Sequence, residues 1–515
     1  MNLIPKINGK VSLTGAVCRY EDSTPITVES SGSIPREGYI LTVASEEIKI
    51  EAGDSAGAFY ARRTLEQLAR EGDIPCGRYE DAPKFPFRSF MLDVSRHFFG
   101  VDEVKKLLDH MARLKMNTFH WHLSDDQGFR IESLKFPDLN RVGSWRDEDG
   151  KKAGGYYTQE EIRQVVEYAS ERFINIIPEI DLPGHTGAII ATMPELSCSG
   201  EPHKVGFGAG LNPRILCAGN EKVYSFLYEL LDEVCQLFPG PYFHIGGDEA
   251  PKSEWEKCPR CQQRIREVGL NGEEDLQAWF TGRLVEFLES RGKTVIGWNE
   301  ILTSGTVSPK AVAQYWIESG KEYSDREADK GRRFVFSNMS AFYLDYPCAL
   351  IGMRPIYNYD PYIIEGKPIP KDQVLGLEAP LWTERVAENS HVERLVFPRL
   401  LALAENCWTA GKDFEDFMQR AEVYTEYLKG QGVAVTPIAE SDPHGAEGAR
   451  MAGAQIVEVA AGFTQALKDK QQRGKTMRNL GGILLGGFLK RSGYSQDEQA
   501  LARESMEKAI RDMGL

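Results

Sequence analysis

The chain has 515 residues, with 61 lysines and arginines against 76 aspartates and glutamates, a formal net charge of −15. That balance argues against a nucleic-acid binder, whose electrostatic footprint is basic. Hydrophobic residues at 42% and charged residues at 27% exclude disordered and fibrous classes, and the length asks for several domains or one large barrel with appendages.

The start, Met1 to Lys10, lacks the apolar stretch of a secretory signal, although a mature secreted chain would look the same. The nine cysteines, spread from Cys18 to Cys407, do not resemble the disulfide framework of a small secreted domain. A reducing, cytoplasmic location is therefore the expectation. Residues 1–85 read as a small α+β domain: Ile26 to Glu29, Tyr39 to Ala44 and Glu47 to Ala52 have strand character, and Ala58, Ala61, Leu65 and Leu68 form the stripe of a following helix. Pro83 and Pro86 then punctuate the chain, since proline cannot continue a helix or a central strand.

Residues 86–411 alternate apolar runs with amphipathic helices, the pattern of βα units around a parallel sheet. Eight runs qualify: Ser89 to Ser95, Asn117 to Ser124, Ile174 to Ile180, Tyr242 to Gly247, Thr294 to Glu300, Ala311 to Trp316, Arg333 to Asn338 and Leu375 to Thr383. Between them, Val104, Leu107, Leu108, Met111 and Leu114 mark one helix and Val223, Phe226, Leu227, Leu230, Leu231 and Val234 another. Thr158 with Glu161 predicts a capping box before a third. Eight strands point to a (β/α)8 barrel with its active site at the strands' C-terminal ends. Residues 412–515 read as a helical region, with Phe414, Phe417, Met418 and Ala421 on one stripe and Ile456, Val459, Ala460 and Phe463 on another. Thr436 to Ala449 reads as a loop, and Gly481 to Leu489 falls far short of the ~20 apolar residues of a membrane span.

The strand ends carry the chemistry. Arg96 in Asp93-Val94-Ser95-Arg96-His97 can present its fork of donors to hydroxyls, or pair with a carboxylate. His120-Trp121-His122 puts two imidazoles on one strand face, which fits a metal-dependent hydrolase or hydrogen-bonded packing. Asp125 follows on the same strand end, and Pro183-Gly184-His185 on the next can aim His185 into the mouth, where Asp125 would fix its tautomer. Gly246-Gly247-Asp248-Glu249 is the sharpest feature, because two glycines free both adjacent carboxyls to turn toward a substrate. Trp298, Trp316, Tyr343 with Asp345, and Trp382 with Glu384 recur at the same rim and resemble the wall of a sugar pocket, although any one of them alone reads as barrel filling. Cys258-Pro259-Arg260-Cys261 has C-x-x-C spacing, but with no second pair or histidine beside it to complete a zinc set it reads as a loop feature. The glycine-rich stretch Ser197 to Gly219 is a further candidate for lining the site.

Taken together, Leu92 to His97, His120 to Asp126, Pro178-Glu179-Ile180-Asp181 with Pro183-Gly184-His185, His244 to Glu249 and Leu381-Trp382-Thr383-Glu384 resemble, in order, the family 20 glycoside hydrolases, the β-N-acetylhexosaminidases. The N-terminal unit is similar to that family's small α+β domain; the region after Lys412 resembles nothing in it. The resemblance implies a retaining exo-glycosidase that removes terminal β-linked GlcNAc or GalNAc from glycans or glycoconjugates, with the substrate's own acetamido oxygen as nucleophile and an oxazolinium intermediate. It implies that Glu249 is the general acid and base, that Asp248 holds the acetamido N–H and that Tyr343 donates to the acetamido oxygen. Trp298, Trp316 and Trp382 would enclose the acetamido group and stack on the ring, Arg96 and Glu384 would hold the outer hydroxyls of the terminal sugar, Asp345 would add a polar contact, and Asp125 with His185 would tune Glu249. No cofactor, metal or nucleic acid enters this reading. Two alternatives stay open: a metal-dependent barrel hydrolase using His120 and His122, and a carbohydrate-binding protein without turnover.

Overall fold

The structure is a computed structural model and describes residues 1–148, 150–206, 212–364, 366–464 and 470–515. The N-terminal unit is a sheet of five strands, β1 (Val11–Cys18), β2 (Ile26–Ser30), β3 (Tyr39–Val43), β4 (Ile48–Ala52) and β5 (Ile74–Asp81), in the order β1-β5-β3-β4-β2. Two of these, β1 and β5, were not expected from the sequence. β1 is an edge strand whose residues are mostly exposed, so it lacks an alternating apolar signal, and β5 begins Ile-Pro-Cys-Gly, which reads as a turn. Helix α1 (Ser55–Ala69) packs on this sheet, capped by the Asp54 side chain, which accepts from Gly57. Tyr60, Ala61, Leu65 and Leu68 are buried on it, whereas Ala58 is only half-buried.

The next eight strands are parallel and close into a barrel: β6 (Phe87–Asp93), β7 (Thr118–His122), β8 (Asn175–Glu179), β9 (Tyr242–His244), β10 (Thr294–Trp298), β11 (Val312–Tyr315), β12 (Phe334–Phe336) and β13 (Val374–Leu381), with β13 returning to pair with β6. Each coincides with an expected run. The expected runs extend past the observed C-terminal ends because polar groups pull the chain out of the sheet there. At β6, for example, Asp93 Oδ1 accepts from the backbone N–H groups of Ser95 and Arg96 at 2.8 and 3.1 Å. Helices α2 (Val101–Arg113), α3 (Gln159–Ser170) and α4 (Glu221–Leu237) bury the expected stripes against the barrel, and α3 opens with the Thr158–Glu161 capping box.

Beyond the barrel lie α5 (Phe414–Gly430), α6 (Gly445–Thr464), α7 (Lys470–Arg491) and α8 (Gln496–Asp512). The expected loop over 436–449 is shorter than foreseen: a helical turn occupies Ile438–Ser441, and α6 already begins at Gly445. Ala446, Glu447 and Ala449 are good helix formers, so Pro443 breaks the chain without preventing a restart two residues later. Ile456, Val459 and Ala460 are buried as expected, and Phe463 lies outside the described side chains. No helix among the described residues is long and apolar enough to cross a membrane.

The N-terminal sheet joins the barrel through a buried polar cluster. Lys115, just past α2, donates to Asp81 Oδ2 at 2.9 Å and to Tyr39 Oη at 2.8 Å, while Trp408 Nε1 donates to Asp81 Oδ1 at 2.8 Å. Both charged side chains are fully buried, so each depends on the other. Breaking such a pair costs about 3–5 kcal/mol because it strands the remaining charge. Lys115→Ala should therefore lower the denaturation midpoint markedly, and Lys115→Met combined with Asp81→Leu should recover much of the loss. An unchanged midpoint in the single variant would show that the cluster does not hold the two units together.

Candidate active site

Register builds the site before any side chain is considered. Parallel pairing sets Asp93 opposite His122, His122 opposite Glu179 and Glu179 opposite His244, so four polar residues from successive strands form one layer near the C-terminal end. Glu179 is its hub. His122 Nδ1, His244 Nδ1 and His120 Nε2 lie 2.5, 2.9 and 3.0 Å from its oxygens, and Trp298 Nε1 donates to it at 2.9 Å. Burial alone would favour the neutral acid, but the surrounding imidazoles outweigh it and hold Glu179 well below the usual carboxylate range. Burial likewise pushes His120 down, yet Glu378 and Glu179 raise it to about 9. The His-x-His pair is thus engaged with carboxylates inside the barrel: His120 also meets Glu378 at 3.0 Å, and His122 Nε2 meets Asp125 at 3.0 Å.

Above this layer a chain of charges leads to the mouth. Arg96 Nη2 contacts Asp125 Oδ2 at 2.8 Å, and the other oxygen of Asp125 lies 3.2 Å from His185 Nδ1. The expected Asp125–His185 pair therefore forms. Burial opposes ionisation of Asp125, but Arg96 and His185 hold its carboxyl far below the ordinary value. In return His185, which burial would deprotonate, is raised well above an ordinary histidine by Asp125, Asp181 and Asp248. Its Nε2 points to the acid pair, 3.7 Å from Asp248 and 3.9 Å from Glu249.

The acid pair sits on an irregular turn after β9. Gly246 has φ of 64°, and a Cβ there would lie 1.7 Å from Asp181 Oδ1, so only glycine lets the strand end pass that carboxylate. Asp181 also accepts from the Gly247 N–H at 3.1 Å, which fixes the turn. Glu249 has φ of 45° and His185 φ of 53°, left-handed conformations that side-chain-bearing residues seldom adopt and that concentrate at functional sites. Asp248 is buried, and its Oδ1 has no hydrogen-bond partner. The Glu249 side chain is 40% exposed toward the mouth, yet the enclosing protein and then the charge of Asp248 raise its pKa.

Aromatic rings wall the space beside this pair. Trp316 stacks on Tyr343 with centroids 6.0 Å apart at 16°, and Trp298 lies 5.8 Å from Trp382 and 6.2 Å from Trp316. Trp298 is fully buried and forms the floor, whereas Trp382 is partly exposed and lies under the Arg96 guanidinium, 4.9 Å from Cζ to the ring centroid. Arg96 also reaches within 3.8 Å of Glu384. Asp345 stands beside them with an unpartnered Oδ1, and burial followed by repulsion from Glu384 raises its pKa to about 8. All eleven candidate residues thus converge on one mouth.

Sequence reasoning passed over three acids. Glu300 accepts from Trp316 Nε1 at 2.8 Å, and burial followed by the Asp248 charge raises its pKa to about 8. Asp181 supports the Gly246–Gly247 turn, and Glu179 is the hub of the layer below. Each stands at or beside the end of an expected strand, so position was the available signal; what was missing was the register that brings them together. The C-terminal region also reaches this rim, where Arg491 pairs with Glu318 at 2.5 Å and Phe488 packs 5.1 Å from Tyr346. The expectation that Cys258 and Cys261 lack companions is corrected: Cys198 and Cys217, from the loop after β8, join them, with the four sulfurs within 4.8 Å of one another. Of the stretch Ser197 to Gly219, Asn212 supports Asp126 at 3.2 Å, and residues 207–211 lie outside the described residues.

Comparison with known proteins agrees with this arrangement. The catalytic domain of glycosyl hydrolase family 20 matches residues 85–411, and domain 2 of the same family matches residues 7–82. A β-hexosaminidase of Porphyromonas gingivalis is 40% identical over 426 residues, 77% of this chain and 54% of that protein, so the chain spans about half of that relative's length. A β-hexosaminidase of Akkermansia muciniphila is 30% identical over 436 residues, covering 80% of this chain and 88% of its own. Among solved structures, the exo-β-N-acetylglucosaminidase of Vibrio harveyi in complex with N-acetylglucosamine gives a TM-score of 0.77 at 30% identity, over 85% of this chain and 78% of that one. The N-acetyl-β-hexosaminidase of Streptomyces plicatus in complex with Thio-NAglucal gives 0.76 at 30% identity, over 84% and 96%. With its barrel and its N-terminal sheet both matched, this chain belongs to glycosyl hydrolase family 20.

Proposed function

We propose that the chain is a retaining exo-β-N-acetylhexosaminidase that releases terminal β-linked GlcNAc or GalNAc from oligosaccharides or glycoconjugates, with the substrate's 2-acetamido oxygen as nucleophile. The observation that carries this reading is the Asp248–Glu249 pair, set by a left-handed turn at a barrel mouth beside an aromatic wall, with Glu249 raised and Asp248 Oδ1 unpaired. A raised carboxyl keeps its proton nearer neutrality and is suited to protonate a leaving group. The neighbouring unpaired oxygen is suited to accept the acetamido N–H.

In the first step Glu249 gives its proton to the glycosidic oxygen as the bond from that oxygen to C1 breaks, and the acetamido oxygen closes on C1 to form an oxazolinium. Asp248 orients the acetamido group and balances the positive charge, and Tyr343 donates to its oxygen. Water then adds at C1 from the face the aglycone left, as the bond from C1 to the acetamido oxygen breaks, and gives a proton to Glu249, which restores the acid, the acetamido group and the original configuration at C1. Trp298, Trp316 and Trp382 supply the apolar enclosure, while Arg96, Asp345 and Glu384 supply donors and acceptors for the ring hydroxyls. Asp125 acts through His185, whose positive charge near both acids limits their repulsion. The family match does not favour the metal-dependent alternative for His120 and His122, and the intact acid pair speaks against a binding protein without turnover.

Two outcomes follow for solution kinetics. Glu249→Gln should lower turnover of a natural disaccharide by roughly 100 to 10,000-fold, the span of general acid–base catalysis, and should impair far less a substrate whose leaving group departs without a proton. Parental activity on the disaccharide would remove Glu249 from the role. The second outcome concerns pH. Glu249 works protonated, so kcat/KM falls as pH rises through its raised pKa, and because the Asp248 charge contributes to that elevation, Asp248→Asn should move the alkaline limb to lower pH. A limb that stays in place or moves upward would show that Asp248 does not act on the titrating acid.

A further inference from the structure

Four cysteines converge behind the mouth, outside the acid pair and its aromatic wall. Cys198 follows the short helix Pro194–Leu196, Cys217 precedes α4, Cys258 closes the helical turn Ser253–Lys257, and Cys261 sits in the first turn of the helix Pro259–Val268. Their Sγ atoms are 3.8 Å apart for Cys198 and Cys261, 3.7 Å for Cys217 and Cys258, and 3.6 Å for Cys217 and Cys261. Disulfides bond at about 2.05 Å, so these separations are not those of bonded pairs. A zinc–thiolate bond of about 2.3 Å makes the edge of a regular tetrahedron about 3.8 Å, which is the spacing found.

We propose that Cys198, Cys217, Cys258 and Cys261 form a tetrathiolate site for a single Zn²⁺ ion. An all-sulfur tetrahedral set selects zinc or iron among common metals. An iron–sulfur cluster would divide the four cysteines between two or four irons and hold sulfurs on different irons further apart than the 4.8 Å that bounds this set, so the spacing fits one ion. Four protein ligands leave no open position, which makes the site structural rather than catalytic. The surroundings suit thiolates. The Gly219 N–H hydrogen-bonds to Cys261, and the Arg260 side chain reaches Cys258 while donating to the carbonyls of Ser197 and Cys198 at 2.9 and 3.2 Å. Gly219 is needed for this approach, since a Cβ there would lie 2.3 Å from the carbonyl carbon of Arg260. Cys217, Cys258 and Cys261 are buried, so bound metal would be shielded from solvent.

The site joins two catalytic loops. The Leu216 N–H donates to the carbonyl of Pro183 at 3.1 Å, beside the His185 turn, and the Trp255 indole donates to Leu216 at 3.0 Å from the segment that follows the acid pair. An ion held by both loops would fix the distance between His185 and the Asp248–Glu249 turn without touching substrate.

The test is metal analysis of the full chain purified without chelators. About one zinc per chain is expected, and cobalt exchanged into the site should show intense thiolate-to-metal charge transfer with the visible bands of a tetrahedral ion. Cys217→Ser and Cys261→Ser should each lose the metal, whereas Cys348→Ser, outside the cluster, should keep it. Removing zinc with a strong chelator should lower Tm, and added zinc should restore it. Four reduced thiols without stoichiometric metal, a disulfide between any two of them by peptide mapping, or iron in place of zinc would each overturn the assignment. The metal content of the parent protein decides the matter even if the serine variants fail to fold, and it does so independently of the hexosaminidase reading.

Discussion

The barrel mouth depends on keeping the buried carboxylate of Asp125 ionised. Asp125 is almost fully shielded from solvent, and a lone charge in that position would neutralise itself. It stays ionised because Arg96 and His185 flank it at 2.8 and 3.2 Å, with His122 beneath at 3.0 Å. Those contacts tie the ends of β6, β7 and the loop after β8 together. Remove the charge, and Arg96 loses the nearest of its three carboxylate partners, His185 loses its orientation, and Glu249 loses the positive group behind it.

The layer below explains why such a chain can exist inside a barrel. Glu179 and Glu378 alternate with His120, His122 and His244, so each buried carboxylate faces imidazoles; the carboxylates raise His120 and His122 above the ordinary histidine value, whereas burial holds His244 below it. Barrels of this kind are ordinarily filled by branched apolar side chains. Here an ionic layer replaces part of that filling, and it carries Trp298 through a hydrogen bond to Glu179. The aromatic wall is thus positioned by the same carboxylate that orders the histidines. Above it, the left-handed Glu249 and His185 store backbone strain of about 1–3 kcal/mol each, which the surrounding contacts must hold in place.

Much of this was legible in the sequence, for reasons that also explain the gaps. The barrel strands are buried on both faces and read as apolar runs, whereas β1 lies exposed at a sheet edge and β5 contains Pro75 and Gly77, so neither gives a strand pattern. The mouth residues were legible because strand ends are marked by polar residues after apolar runs. Glu300 and Asp181 stand at the same kind of strand end, but their importance comes from proximity to Asp248, which needs the closed barrel. The cysteine cluster was the least legible feature. Cys258 and Cys261 give a recognisable spacing, but Cys198 and Cys217 come from a distant loop, and only the packing of the loop after β8 against the segment after β9 brings them together.

The central claim is that the substrate supplies its own nucleophile while Asp248 and Glu249 divide orientation and proton transfer between them. The most direct measurement is kcat/KM for aryl β-glycosides whose N-acyl group carries zero, one, two and three fluorines, with the aglycone held constant. Fluorine withdraws electrons from the acyl oxygen without changing the protein carboxylates, so participation of that oxygen predicts a steep and progressive fall in rate across the series. A flat dependence, together with a sugar ester trapped on any aspartate or glutamate of the chain, would contradict the account and assign the nucleophile to the protein.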